Sequence, residues 1–419
     1  MCSMGSGHHE PRGDEVGLTS AESRIVEAVR ASSVKMDEDL RTLVAMPTGC
    51  GHREGLERAR DWMNSRLGAL GATLTRARGG ARPDWLRESA LGDDSADVVI
   101  ADRTAVAHSC PRVLVAGHLD TVHDPHGPFQ ELSAPSAGRC TGPGAADMKG
   151  GLVVALTALE VLERCEVRLP WTVVLNADEE TGSFVSAEIL HELAATHDIG
   201  LVVEPAFGEG DFVTTRPGSA QFLLEAFGRE AHAGRDAASG VSAVGALCKA
   251  VTSVLERSDP SSGITLNIGP LEGGRATNIV PGFARAWGNA RYRSEQQREE
   301  IDRLLHAVEF GAEGDIPRVR TRVIHNRPIK PATPRVEALG AVAVCAAADL
   351  GVRAGCAATG GVSDANVLQA AGLPCLDGLG VRGGNLHRLD EFVIVESLVE
   401  RASIFAVLLT RLAAGTSVP

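Results

Sequence analysis

Short apolar runs alternate with stretches of 3.6-residue periodicity through the first half of the chain. The periodic stretches predict helices over residues 20–31, 34–44, 55–68, 150–165 and 184–194. The apolar runs predict strands over 73–76, 98–101, 112–116, 171–176 and 201–204. Strands alternating with helices imply an α/β layer built on a mainly parallel sheet. Past Pro205 the order changes to strand 221–228, helix 241–257, strands 264–269 and 282–292, helix 294–310 and strand 318–324. That β-α-β-β-α-β order predicts a ferredoxin-like unit inserted into the first domain. Helices over 336–351, 363–371 and 393–413 and a strand over 374–377 then return to the α/β style. The expected division is a tail at 1–19, a first domain built from 20–213 and 326–419, and an insert at 214–325.

Composition narrows the function classes. A length of 419 residues suits two or three domains, and 44% hydrophobic with 23% charged residues suits a soluble globular protein. The formal net charge of −13, with no Lys/Arg cluster, argues against nucleic acid as a partner and suits a protein that holds cations. Nine cysteines without C-x-x-C spacing argue against a disulfide framework and a thiolate zinc site, and point to reduced thiols in the cytoplasm. Met1–Gly17 is polar, so neither a secretory signal nor order is expected there. No run reaches the roughly 18 apolar residues of a membrane span.

Chemistry concentrates where predicted strands end. Val173-Val174-Leu175 delivers Asp178, Glu179 and Glu180 in succession, followed by Gly182. Consecutive carboxylates at the end of a buried strand cost several kcal/mol per ion, roughly, unless a cation compensates. They form either a metal site or a solvated acidic turn. His118 and Asp120 end another strand two residues apart, so Asp120 is placed to orient a metal-bound imidazole. Asp147 lies in the glycine-rich run Gly144–Gly151, as an ion ligand or as an N-cap for the following helix. Glu204 ends a Leu-Val-Val strand, and His387 sits in the glycine-rich loop Gly383-Gly384-Asn385-Leu386-His387. Ligands of open α/β sheets collect beyond the carboxyl ends of the strands. Two imidazoles and three carboxylates exceed one tetrahedral zinc and suit two divalent ions about 3.5–4 Å apart.

Four motifs carry a resemblance: Gly117-His118-Leu119-Asp120-Thr121-Val122, Gly144-Ala145-Ala146-Asp147-Met148-Lys149-Gly150, Asp178-Glu179-Glu180-Thr181-Gly182-Ser183 and Glu204-Pro205. Over about residues 25–413 the chain resembles the co-catalytic zinc exopeptidases and deacylases, among them aminoacylase, acetylornithine deacetylase and succinyl-diaminopimelate desuccinylase. Thr359–Asn366 and Leu376–Gly380 look nearest to the bacterial glutamate carboxypeptidase branch.

The resemblance implies two zinc ions, with cobalt or manganese as substitutes. His118, Asp147 and Glu204 would hold one, and Asp147, Glu180 and His387 the other. Glu179 would be general base and acid, activating a water between the ions, and Asp120 would orient His118. The insert would be a lid through which the chain forms a homodimer, and His232 would polarise the scissile carbonyl. Asn278 and Arg291, with Arg327, Gly360 and Gly361, would bind substrate. The implied activity is a metallocarboxypeptidase releasing a C-terminal amino acid, glutamate among them, from small peptides or N-acyl-amino acids. The alternatives are an N-acyl-amino-acid deacylase, or a metal-binding dimeric scaffold without turnover.

Overall fold

The computed structural model describes residues 17–87, 97–104 and 110–416; residues 1–16 of the expected tail lie outside them. The central sheet has six strands in the order Thr73–Ala77, Val98–Arg103, Trp171–Asn176, Val113–His118, Ile199–Val202, Cys375–Leu376. The first two pairings are antiparallel and the other three parallel. Every residue of Val113–His118 and Trp171–Asn176 is buried, as expected of strands covered on both faces. Helix Gly151–Arg164 covers one face and packs against helix Glu396–Ala413. His118 is in register with Asn176, so both chains leave the sheet at one edge.

Three local departures from the sequence expectation bear on that edge. The strand expected at 201–204 spans Ile199–Val202, so Glu204 stands two residues beyond it. The helix expected from 184 begins at Ala187, because the amides of Val185 and Ser186 are drawn to the Asp178 carboxylate. The helix expected from 393 begins at Glu396; Phe392–Ile394 is a strand between Gly383–Gly384 and Arg139–Thr141. Its apolar, β-branched run reads equally as helix or strand until a partner strand decides.

The second sheet is fully antiparallel, in the order Thr265–Gly273, Phe283–Tyr292, Gly218–Phe227, Arg318–Arg327. Helices Ala243–Leu255 and Glu295–Ala307 cover one face, burying Ala220, Phe222, Leu224, Ala284 and Ala286. This is a βαββαβ arrangement.

The chain passes between the two sheets at 215–218 and at 327–330. The passages bond to each other, Arg216 and Lys330 exchanging amide-to-carbonyl bonds of 2.9 and 3.0 Å. One side chain clasps both: Asn366 Nδ2 donates to Pro217 O at 2.8 Å and to Pro328 O at 2.7 Å. Asn366 is fully buried, and its Oδ1 accepts from Ser363 N at 2.9 Å. Substituting Asn366→Leu keeps the number and branching of side-chain heavy atoms but strands two carbonyls and an amide, at about 1 kcal/mol for each lost bond. The expected outcome is a lower melting temperature by calorimetry; an unchanged one would show that other contacts hold the crossing.

Candidate metal centre

Three strand ends and one distant loop meet at the carboxyl edge of the central sheet. His118, the last residue of its strand, turns Nδ1 toward Asp120, 2.9 Å from its carbonyl oxygen and 3.4 Å from Oδ1. Nε2 therefore faces inward, 3.2 Å from Asp147 Oδ1 and 3.7 Å from Glu204 Oε1. His387 Nε2 lies 3.4 Å from Asp147 Oδ2 and 3.4 Å from Glu180 Oε2. Each oxygen of Asp147 thus faces a different imidazole. His118, Asp147 and Glu180 each place a ligand-type atom within 4.8 Å of the others, and His118, Glu179 and Glu204 do likewise. Asp120 Oδ2 also accepts from Glu180 N at 3.0 Å, tying the two strand ends together.

Asp147 is not a helix cap. Its backbone is extended (φ −111°, ψ 92°) within the turn Ala145–Gly150, which makes no side-chain capping bond. Glu391, from the far end of the sequence, holds that turn: Oε1 accepts from Ala146 N at 2.9 Å and Asp147 N at 3.0 Å, and Oε2 faces His123 Nε2 at 2.7 Å. Sequence reasoning missed Glu391, whose partners lie some 244 positions away. Asp178 is likewise separated from its acidic neighbours, accepting from Val185 N at 2.8 Å and Ser186 N at 3.2 Å.

The electrostatics describe a pocket short of positive charge. Burial, and then the charge of Asp147, push Glu180 and Glu204 well above the usual carboxylate range. Burial pushes Glu179 up to about 7 against the pull of Arg327. Burial also opposes ionisation of Asp147, but the His118 and His387 imidazoles hold it low. His118 is raised: burial works against its charge, and the Asp120 and Asp147 carboxylates overcome it. The buried cations nearby are engaged, Arg327 by Glu179 and Asp364, and Arg216 by Asp377 at 2.7 Å. Buried Asp120 Oδ1 and Glu180 Oε1 have no hydrogen-bond partner. Carboxylate oxygens and imidazole nitrogens converging without a compensating cation fit divalent metal ions, and the pairing of Asp147 with both imidazoles fits two.

The other expected site residues are dispersed. Arg291 and Arg327 flank Ser219 in register at one end of the antiparallel sheet. Arg291 Nη1 is buried without a partner, and burial, then the charge of Arg327, lower its pKa. Arg327 is 1% exposed and lies on the Glu179 and Asp364 carboxylates. His232 and Asn278 are exposed on the ribbon formed by Ala231–His232 and Ile279–Val280, where Ala233 N donates to Asn278 O at 2.9 Å. Among the described residues, no hydrogen bond or ion pair joins either to the carboxylate cluster. Gly360 and Gly361 are exposed, and Gly360 lines a cavity of about 420 Å³ beside Arg216 and Lys330.

Comparison with known proteins agrees with this architecture. The family described as Peptidase family M20/M25/M40 matches residues 114–411. Carboxypeptidase G2 of Pseudomonas sp. (strain RS-16) is 28% identical over 394 residues, covering 90% of this chain and 89% of the relative. Succinyl-diaminopimelate desuccinylase of Acidovorax ebreus is 29% identical over 358 residues, covering 80% and 87%. Among solved structures, the dipeptidase Dug1p of Saccharomyces cerevisiae superposes with a TM-score of 0.75 at 14% identity, covering 94% of this chain and 99% of that one. With the family matched over most of its length, the chain belongs to Peptidase family M20/M25/M40 and is a metal-dependent hydrolase.

Proposed function

We propose that the protein is a metallocarboxypeptidase that hydrolyses the amide bond to a C-terminal amino acid, glutamate among them, in small peptides or N-acyl-amino acids. One observation carries the reading. The Glu179 carboxylate lies inside the ligand cluster, and Arg291, beyond Arg327, keeps a guanidinium nitrogen without a partner. The similarity to carboxypeptidase G2 over nine-tenths of the chain supports the same substrate class.

His118, Asp147 and Glu204 would hold one divalent ion, and Asp147, Glu180 and His387 a second, with zinc the expected metal and cobalt or manganese substitutes. Bound there, the ions supply a Lewis acid and lower the proton affinity of water. Asp120 fixes the His118 ring so that Nε2 faces the ligand cluster. Glu179 takes the proton of the attacking water and passes it to the departing amine. Arg291 holds the free carboxylate of the substrate, with Gly360 and Gly361 as further substrate contacts, and Asn278, on the same ribbon as His232, reaches that carboxylate from a second copy. His232, exposed and remote from the cluster's bonding network, serves the active site of a second copy, stabilising the developing oxyanion in a homodimer paired through the antiparallel-sheet domain. The similarity to the desuccinylase favours one other reading, an N-acyl-amino-acid deacylase, in which Arg291 would hold an acyl-group carboxylate.

Four measurements check these assignments. Glu179→Gln should lower kcat by ~10³-fold, within the range for a lost general base, while metal content stays that of the wild type. Lost metal would make Glu179 a ligand rather than a base. N-acyl-glutamates should be cleaved faster than N-succinyl-diaminopimelate or N-acetylornithine; the reverse order selects the deacylase. Mixing Glu179→Gln with His232→Ala protein should restore part of the activity, and failure despite subunit exchange would place His232 in its own subunit's site.

Metal removal supplies the fourth. A free divalent ion at a hundredfold its Kd should stabilise the fold by about 2.7 kcal/mol. The pH dependence follows from the raised groups. Glu179 sits at about 7 in the folded chain against an ordinary 4.5, so the metal-free fold holds extra protons between those values and loses stability as pH rises through them. Glu180, Glu204 and His118 are raised too and act in the same sense. The melting-temperature increment from metal should therefore grow between about pH 4.5 and 7. A flat increment would contradict the site.

A further inference from the structure

We propose that Arg327 is a positioning residue for Glu179 rather than a contact for substrate, and that Asp364 in turn positions Arg327. The inference rests on the reading of Glu179 as the base.

The geometry is a relay of charged groups ending on that carboxylate. Arg327 Nη2 donates to Glu179 Oε1 at 2.7 Å and approaches the Glu179 carbonyl oxygen at 3.3 Å. Nη1 donates to Asp364 Oδ1 at 3.1 Å. Asp364 is itself fixed from two sides: Asn176 Nδ2 donates to Oδ2 at 2.6 Å and Ser183 Oγ to Oδ1 at 2.6 Å. Asn176 closes the strand that leads into Glu179, and Ser183 follows in the same loop. The relay therefore begins and ends on the segment it organises. Arg327 is 1% exposed, Asp364 2%, and Asn176 1%; both terminal nitrogens of the guanidinium are spent on the chain's own carboxylates, and only the buried Nε has no partner.

Arg327 reaches this position from another layer. It is the last residue of strand Arg318–Arg327, immediately before Pro328, whose carbonyl Asn366 holds. A planar guanidinium with donors on both edges can bridge two carboxylates in fixed geometry, which an ammonium cannot. Glu179 has three side-chain torsions, and a base that swings out of line with its water loses catalytic alignment. Holding one oxygen by a charge-assisted bond leaves the other to face the ligand cluster. Arg291, across Ser219, is the guanidinium that remains available for a substrate carboxylate.

The test separates positioning from binding by the kinetic constant that moves. Arg327→Ala should lower kcat by ~10²-fold with KM within about threefold of wild type and metal content unchanged, a loss typical of a misplaced reacting group. Added guanidinium chloride, at concentrations below those that perturb the fold by circular dichroism, should restore part of kcat in Arg327→Ala but not in Glu179→Gln. Arg327→Lys should retain an intermediate kcat. Asp364→Asn, a gentler change, should lower kcat by about tenfold with KM kept, and it carries the test if Arg327→Ala does not fold. A raised KM with kcat intact would return Arg327 to substrate binding and overturn the proposal. So would an unrescued loss of kcat in Arg327→Ala accompanied by unchanged kcat in Asp364→Asn. Full activity of Glu179→Gln would instead sink the reading of the base, whatever Arg327 does.

Discussion

Burial of negative charge at the carboxyl edge of a parallel sheet is the constraint on which this structure depends. Asp120, Asp147, Glu180 and Glu204 are held where water reaches them poorly, and among the described residues the side chains of opposite charge paired with them are imidazoles. Ionised carboxylates in such a place cost several kcal/mol each, roughly, unless countercharge arrives. Parallel strands bring the acids together because their chains leave the sheet on the same side, His118 level with Asn176. A divalent pair would resolve the imbalance, and the same concentrated positive charge is what amide hydrolysis needs.

Much of the surrounding polar structure serves to hold that arrangement. Glu391 grips the amides of the Asp147 turn, and Asp120 ties the loop after one strand to the loop after the next. Asp178 spends its carboxylate on the amides that open the following helix, which leaves Glu179 and Glu180 free to face inward. Asp364 and Arg327 complete the set. Apart from those of Asp178, these contacts join segments separated by tens to hundreds of residues, so the site forms only with the whole fold.

The legible part of this design lies in strand ends. Val113–His118 and Trp171–Asn176 announce themselves as apolar runs, and the polar residues just past them are visible because periodicity stops there. The βαββαβ order of the second sheet is readable for the same reason. Partners supplied from far along the chain are not. Nothing local marks Glu391 as the support of Asp147, since the bond spans 244 positions. Arg327 stands beyond the strand expected at 318–324 and drew a substrate role only from the resemblance; its burial against Glu179 and Asp364, far apart in sequence, is visible only in the fold. The helix expected from 393 starts too early because a short apolar run has no period of its own, and pairing with Arg139–Thr141 makes Phe392–Ile394 a strand.

The central claim is that five side chains scattered from position 118 to position 387 converge on a pair of divalent ions. Anomalous diffraction at the zinc edge from zinc-loaded crystals tests this most directly. The account predicts two peaks, one contacted by His118, Asp147 and Glu204, the other by Asp147, Glu180 and His387. A single peak, or peaks that leave Asp147 uncoordinated, would contradict it.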